Sequence, residues 1–156
     1  MKHASAEIAR ILLEAGAVVL APEQPFRFAS GIISPVYCDN RLLLGKVAAR
    51  RIISEALAEA VEQEVVSVEV IAGTATAGVP WAAWVAASLT LPLVYVRSGA
   101  KKYGRGQQVE GGIQAGQRVA VIEDLVSTGG SALDAVAGLR QLDASVAECF
   151  AIFSYE

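Results

Sequence analysis

Val119-Ala120-Val121-Ile122-Glu123-Asp124-Leu125-Val126-Ser127-Thr128-Gly129-Gly130-Ser131-Ala132 is the stretch that decides the fold. Four apolar residues run without alternation into two adjacent acids, and a Ser/Thr/Gly turn then opens a helical pattern. An unbroken apolar run is the mark of a strand buried on both faces. The spacing predicts a strand over 118–123, a turn over 125–130 and a helix over 131–142. At the start of such a helix, Thr128, Gly129, Gly130 and Ser131 can present backbone N–H groups and hydroxyls to a phosphate. Glu123 and Asp124, a few ångströms away, can accept from vicinal hydroxyls or hold Mg²⁺ through waters. Ser131-x-x-Asp134 also reads as a plain helix-capping pattern. No Gly-Lys-Ser/Thr follows, and the segment is not Gly-x-Gly-x-x-Gly, so neither common nucleotide loop is present.

Upstream the same alternation recurs. Strands are expected over 68–72 and 93–97, a turn over 73–78, and a helix over 80–89 with Pro80 in its first turn. A polar, glycine-rich loop reaches to about Gly112, and a last strand covers 146–153. Before these, a helix over 5–15 stops at Gly16, residues 17–41 are irregular or short-stranded, and a second helix covers 46–61. Val47, Ile52, Ile53 and Leu57 form the apolar positions of that second helix. Strand–helix–strand order with apolar strands gives an α/β fold: a Rossmann-like parallel sheet flanked by helices. Ligands bind such sheets beyond the carboxyl ends of the strands. Three loops leave there, at 73–78, 98–112 and 125–130.

Composition sets further bounds. The 156 residues suit one domain, 54% of them are hydrophobic, and mean hydropathy is +0.46. No charge falls between Val70 and Val96, a length that would cross a bilayer. Gly73, Gly78, Pro80 and Pro92 interrupt that stretch, and 28 alanines inflate the apolar fraction with little transfer energy each. No membrane span is expected. A net charge of −3 gives no global attraction for nucleic acid. Cys38, Cys149 and the single His3 lack metal-ligand spacing. With no apolar signal core, a reduced, cytoplasmic setting is expected.

Two more loops carry candidate chemistry. Arg97, Lys101, Lys102 and Arg105 fall within nine acid-free residues among Gly99, Gly104 and Gly106. This is either a solvated loop or a lid over a polyanion, and its exit from a strand's carboxyl end favours the lid. Gly73-Thr74-Ala75-Thr76-Ala77-Gly78 is either a second anion receiver, through Thr74 and Ala75, or an ordinary turn before a helix. The segment Phe28 to Arg41, FASGIISPVYCDNR, carries no base preference that physics alone assigns.

The 119–132 segment closely resembles the phosphoribosyl-pyrophosphate (PRPP) motif of the type I phosphoribosyltransferases. Residues 28–41 resemble the Ser-Gly-x-x-Ser-Pro-x-Tyr-x-Asp-Asn-Arg signature of the orotate phosphoribosyltransferases. With GTATAGVP and the YVRS…K.YG.G.Q.EG pattern, four motifs fall in that family's order over about residues 5–154.

The resemblance implies a type I phosphoribosyltransferase fold with a small N-terminal hood. Residues 1–45 would form the first helix and hood, and 46–156 the core. It implies transfer of ribose 5-phosphate from PRPP to orotate, giving orotidine 5'-phosphate and pyrophosphate. Arg97, Lys101 and Asp124 are then the catalytic candidates. Glu123 and Asp124 hold the ribose hydroxyls, and Ser127 to Ser131 enclose the 5-phosphate, with Leu125 and Val126 beside them. Thr74, Ala75, Tyr103 and Ser30 complete the substrate-binding set, and Ser127 also aligns with an orotate contact. Mg²⁺ is held mainly through PRPP and waters, with no direct protein ligand assigned. A homodimer is implied, each lid reaching the partner's site.

Departures from the family pattern are Tyr103, where histidine is common, Ile33, where a basic residue is frequent, and an end at Glu156 where members continue. Two other readings compete. A purine phosphoribosyltransferase would share the PRPP motif but not the 28–41 signature. A non-catalytic PRPP- or nucleotide-binding regulator would fit the short C-terminus but not the retained Glu123, Asp124, Arg97 and Lys101.

Overall fold

The computed structural model describes residues 2–28, 31, 33–99 and 108–155. The chain divides into two compact units, Met1–Ile53 and Ser54–Glu156.

In the first unit, helix α1 spans Lys2–Glu14 and ends at Gly16, which takes φ +70°. There the Gly16 N–H donates to Leu13 O and the Ala17 N–H to Leu12 O, closing the last turn. Ile11 and Leu12 are buried and Ile8 half-buried, as the helical spacing requires. Four short strands follow: β1 (Val18–Leu20), β2 (Phe26–Arg27), β3 (Ile33–Ser34) and β4 (Val36–Cys38). β1 pairs antiparallel with β4, and β2 with β3. A 3₁₀ turn over Asn40–Leu43 leads to α2 (Val47–Glu64), which runs on into the second unit. The buried positions of α2 are Ile53, Leu57, Ala58 and Val61. Val47, expected on this stripe, is 64% exposed. It shares the angular stripe of these residues but is the first residue of α2, a turn and a half before the buried positions begin.

The second unit is built on a five-stranded sheet in the order β7-β6-β5-β8-β9. Its strands are β5 (Val70–Thr74), β6 (Leu93–Val96), β7 (Val109–Glu110), β8 (Arg118–Val126) and β9 (Ser145–Ser154). β5, β6, β8 and β9 pair in parallel, while β7 returns antiparallel along β6. The expected loop to Gly112 therefore contains a strand, β7, toward its end. The charge-free Val70–Val96 stretch folds as β5, helix α3 (Gly78–Leu89) and β6. No described helix is long and apolar enough to cross a membrane.

Both faces of this sheet are covered. Val70, Ala72, Val94, Val96, Val119 and Val121 pack with Ala135 and Leu139 of helix α4 (Gly130–Arg140). The alternate positions of β5 and β8 meet α3, and two glycines set how closely. A Cβ on Gly73 would stand 2.9 Å from both Ala82 Cβ and Val79 Cα. A Cβ on Gly78 would meet Ile122 O at 2.6 Å and collide with Thr74 Oγ1. The glycines of the GTATAG turn thus let α3 approach the sheet.

β8 corrects the expected boundary. It runs three residues beyond Glu123, because β9 continues alongside it through Val126↔Ser154. Asp124, Leu125 and Val126 are strand residues, and the turn proper is 127–129. β5 likewise ends at Thr74, which pairs with Val96 and belongs to the strand.

Candidate active site

The carboxyl ends of β5, β6 and β8 bring three of the expected loops together. Thr74, Ala75, Arg97, Ser98, Ser131 and Asp134 line a small cavity of about 30 Å³ in the second unit. That volume takes a water molecule or one anion oxygen. Anything larger must lie outside it; Ser127 and Thr128, in the turn before α4, are exposed.

Glu123 ends the buried part of β8 and is itself 5% exposed. Its Oε1 accepts the Asp124 N–H at 3.1 Å, and its Oε2 accepts from Ser131 Oγ at 2.9 Å. Asp124, next along the strand, is half-buried. Burial, then the hydrogen bond and charge of Glu123, push its carboxyl up to about 7. Two adjacent acids at a strand end thus stand in different environments, one fully donated to and one poised to take or release a proton.

The start of α4 is open. Its N-cap is Gly129 at φ +77°, and no side chain caps the helix. The Ser131-x-x-Asp134 capping pattern is therefore not used; Ser131 is the second helical residue, and its hydroxyl faces Glu123. A Cβ on Gly129 would meet nothing within 4 Å, and one on Gly130 only Thr128 Oγ1 at 3.9 Å. Among the described residues nothing crowds these two glycines. Free N–H groups at a helix N-terminus suit an anion there.

Arg97 follows β6. Its backbone N–H donates to Gln108 O at 3.0 Å, which ties the two ends of the basic loop together. Nη1 of its guanidinium is buried without a hydrogen-bond partner among the described residues, although Glu110 Oε1 lies 3.5 Å away. At that separation the two attract as charges but form no hydrogen bond. A buried cationic N–H left undonated beside a small cavity is a ready contact for an anion oxygen.

Other expected residues have local partners. Thr74, 3% exposed, donates through Oγ1 to Ile122 O at 3.3 Å. The Ala75 N–H donates to Val96 O at 2.7 Å, so it is not free for an anion as the turn suggested. Lys101, Tyr103 and Ser30 lie outside the described residues. In the first unit the 28–41 signature is held by its own bonds. Ser34 Oγ bridges the Val36 N–H and C=O, and Tyr37 packs on Phe26 and Phe28. Asp39 accepts from Arg41 Nε and Nη2 at 2.7 and 2.8 Å, which holds its carboxyl below the usual range.

Three residues of this region stand inside the quoted patterns, but the sequence reading gave none of them a role at the site. Glu110 faces Arg97, Asp134 lines the cavity, and Gln108 donates from Nε2 to Asp134 O at 3.4 Å. Gln108 lies against α4 where Gly138 leaves room, a Cβ there falling 2.8 Å from its Oε1. The signal was the β6–β7 hairpin, whose register sets Glu110 opposite Tyr95 and diagonal to Arg97.

Among the described residues, no three His, Cys, Asp or Glu side chains gather as a metal-ligand set. Glu123 and Asp124 alone are too few for an all-protein cage. They fit Mg²⁺, which keeps several waters and takes other oxygens from substrate phosphates.

The phosphoribosyl transferase domain profile matches residues 42–155. A Listeria monocytogenes protein named orotate phosphoribosyltransferase is 56% identical over 149 residues, 96% of this chain and 71% of that protein. The chain belongs to the orotate phosphoribosyltransferase family. A crystal structure of the orotate phosphoribosyltransferase from Aeropyrum pernix superposes with a TM-score of 0.80 at 30% identity, covering 95% of this chain and 93% of that one. Adenine phosphoribosyltransferase from Saccharomyces cerevisiae, at 24% identity and TM-score 0.72 over 94% of this chain and 89% of that one, shares the fold. Within the family fold, Arg97, Glu123, Asp124 and the 127–131 turn stand at the carboxyl ends of β6 and β8.

Proposed function

We propose that this chain transfers ribose 5-phosphate from PRPP to orotate, yielding orotidine 5'-phosphate and pyrophosphate. One observation carries the reading: Arg97, with an undonated buried N–H, shares a cavity with Ser131 at an uncapped helix start beside the Glu123–Asp124 pair. That is an arrangement for one ligand bearing hydroxyls and anions at both ends.

In this reading the uncapped start of α4 holds the 5-phosphate. Glu123 and Asp124 accept from the ribose hydroxyls, and Leu125 and Val126 continue the strand that aims them. Arg97 and Lys101 neutralise the departing pyrophosphate, with Thr74 and Ala75 framing the cavity. Ser30 and Ser127 belong to the orotate contacts, and Tyr103 to the lid. The bond from C1 to pyrophosphate breaks as a ring nitrogen of orotate bonds to C1, through an oxocarbenium-like state. Orotate arrives as an anion, so the protein moves few protons, and catalysis rests on positioning and charge neutralisation. Mg²⁺, when bound, supplies charge neutralisation at the phosphate oxygens. The reading includes residues 1–45 as a hood, a homodimer with shared lids, and a cytoplasmic setting in keeping with Cys38 and Cys149 standing outside any disulfide.

The test follows loss of orotate absorbance with PRPP and Mg²⁺, with Asp124→Asn and Lys101→Ala as controls. Turnover that both substitutions depress supports the reading. PRPP binding without turnover favours a regulator instead, and turnover indifferent to both substitutions overturns the site assignment.

A further inference from the structure

Ser131 stands between two acceptors. Its Oγ donates to Glu123 Oε2 at 2.9 Å, while Glu123 Oε1 accepts the Asp124 N–H at 3.1 Å. The Glu123 carboxylate is almost wholly buried, so these donors stand in for the water it has lost. Ser131 is also the second residue of an uncapped helix and lines the cavity with Arg97, where the function proposed above places substrate anions. A serine hydroxyl has one proton to donate, and a carboxylate and a phosphate dianion can only accept. It cannot serve both at once.

We propose that Ser131 is a positioning residue that exchanges acceptors when substrate arrives. Its hydroxyl leaves Glu123 for the 5-phosphate, and the freed Oε2 of Glu123 accepts from a ribose hydroxyl. This rests on the site assignment above. In the empty site, Ser131 supplies a donor to Oε2 of this buried carboxylate, as the Asp124 N–H does to Oε1. On capture, one charge-assisted hydrogen bond replaces another of similar strength. The exchange therefore adds little net affinity. It couples the two ends of the substrate: anchoring the phosphate releases the acceptor that reads the sugar.

A double-mutant cycle with ribose 5-phosphate as the probe separates this from a simple phosphate contact. Affinities are read by calorimetry for wild type, Ser131→Ala, Glu123→Ala and the double variant. With Glu123 present, the bond gained at phosphate is offset by the bond lost at Glu123, so Ser131→Ala weakens binding by less than about threefold. With Glu123 removed nothing offsets it, and the same substitution weakens binding about tenfold or more. Equal penalties in both backgrounds mean a plain phosphate contact and overturn the proposal. No penalty in either background means that the hydroxyl never contacts the phosphate, and overturns it too. Ser131→Thr keeps the hydroxyl and is expected to match wild type in both backgrounds. Glu123→Gln, with a weaker acceptor, gives an intermediate penalty and replaces Glu123→Ala if that variant does not fold. If PRPP fails to displace ribose 5-phosphate from the wild type, the site assignment itself falls; the cycle tests the exchange only where displacement occurs.

Discussion

Gly78 offers the sharpest test of how the site is held. Glycine-to-alanine changes inside helices ordinarily stabilise by about 0.4–1 kcal/mol through the unfolded chain. Here the opposite is expected. The new methyl carbon would fall 2.6 Å from Ile122 O and 3.3 Å from Glu123 Cα, and on top of Thr74 Oγ1. Two of these neighbours are backbone of β8, and a central strand cannot step aside. Overpacking of this kind costs about 1–3 kcal/mol. Displacing the Thr74 hydroxyl from Ile122 O leaves buried polar groups without partners, at roughly 1–3 kcal/mol more. After the unfolded-state gain, the net loss spans about 1–6 kcal/mol with a midpoint of about 3 kcal/mol. At about 2–4 °C per kcal/mol for a chain of this size, that midpoint puts Gly78→Ala roughly 6–12 °C below wild type. Gly112→Ala is the control: no atom lies within 4 Å of its Cβ, so its melting point should stay level or rise slightly. Scanning fluorimetry on both variants, with the KM for PRPP alongside, makes the comparison. Because the strain lands next to Glu123, KM should rise in Gly78→Ala. A melting point equal to or above wild type would refute the close-approach argument.

Three further outcomes are expected. Asp124 has its carboxyl raised to about 7, so folding favours the protonated form; that contribution is complete below pH 4 and is lost as pH rises through 7. Asp124→Asn should therefore gain on wild type in melting temperature between pH 5 and pH 8, and a pH-independent difference would contradict the burial account. Arg97→Ala should raise the KM for PRPP about tenfold or more, and Arg97→Lys should recover only part, since an ammonium lacks the guanidinium fork; steady-state kinetics decides. Tyr103→His restores a group that can carry charge near neutral pH, and kcat should rise; an unchanged or lower kcat would remove the lid residue from the mechanism.

What could be read directly came from patterns local in sequence. The apolar run before Glu123 and the helix stop at Gly16 each carry their meaning within a dozen residues. The end of β8 was misjudged because pairing with β9, some thirty residues later, keeps Asp124 to Val126 in the strand. The strand β7 was missed because two residues have no period to detect. Its existence follows from lying along β6.

From sequence alone the α/β order, the strand-end acids, the Thr-Gly turn and the family resemblance were all in hand, since residue type and near spacing determine them. Only the tertiary structure decided which polar atoms are already engaged. Thr74 and Ser131 both looked like ligand donors, yet one hydroxyl donates to Ile122 O and the other to Glu123. Arg97 Nη1 is the reverse case, buried and without a hydrogen-bond partner among the described residues. A hydrogen bond between residues 48 positions apart leaves no trace in spacing, because burial and direction arise only when strands and helices pack.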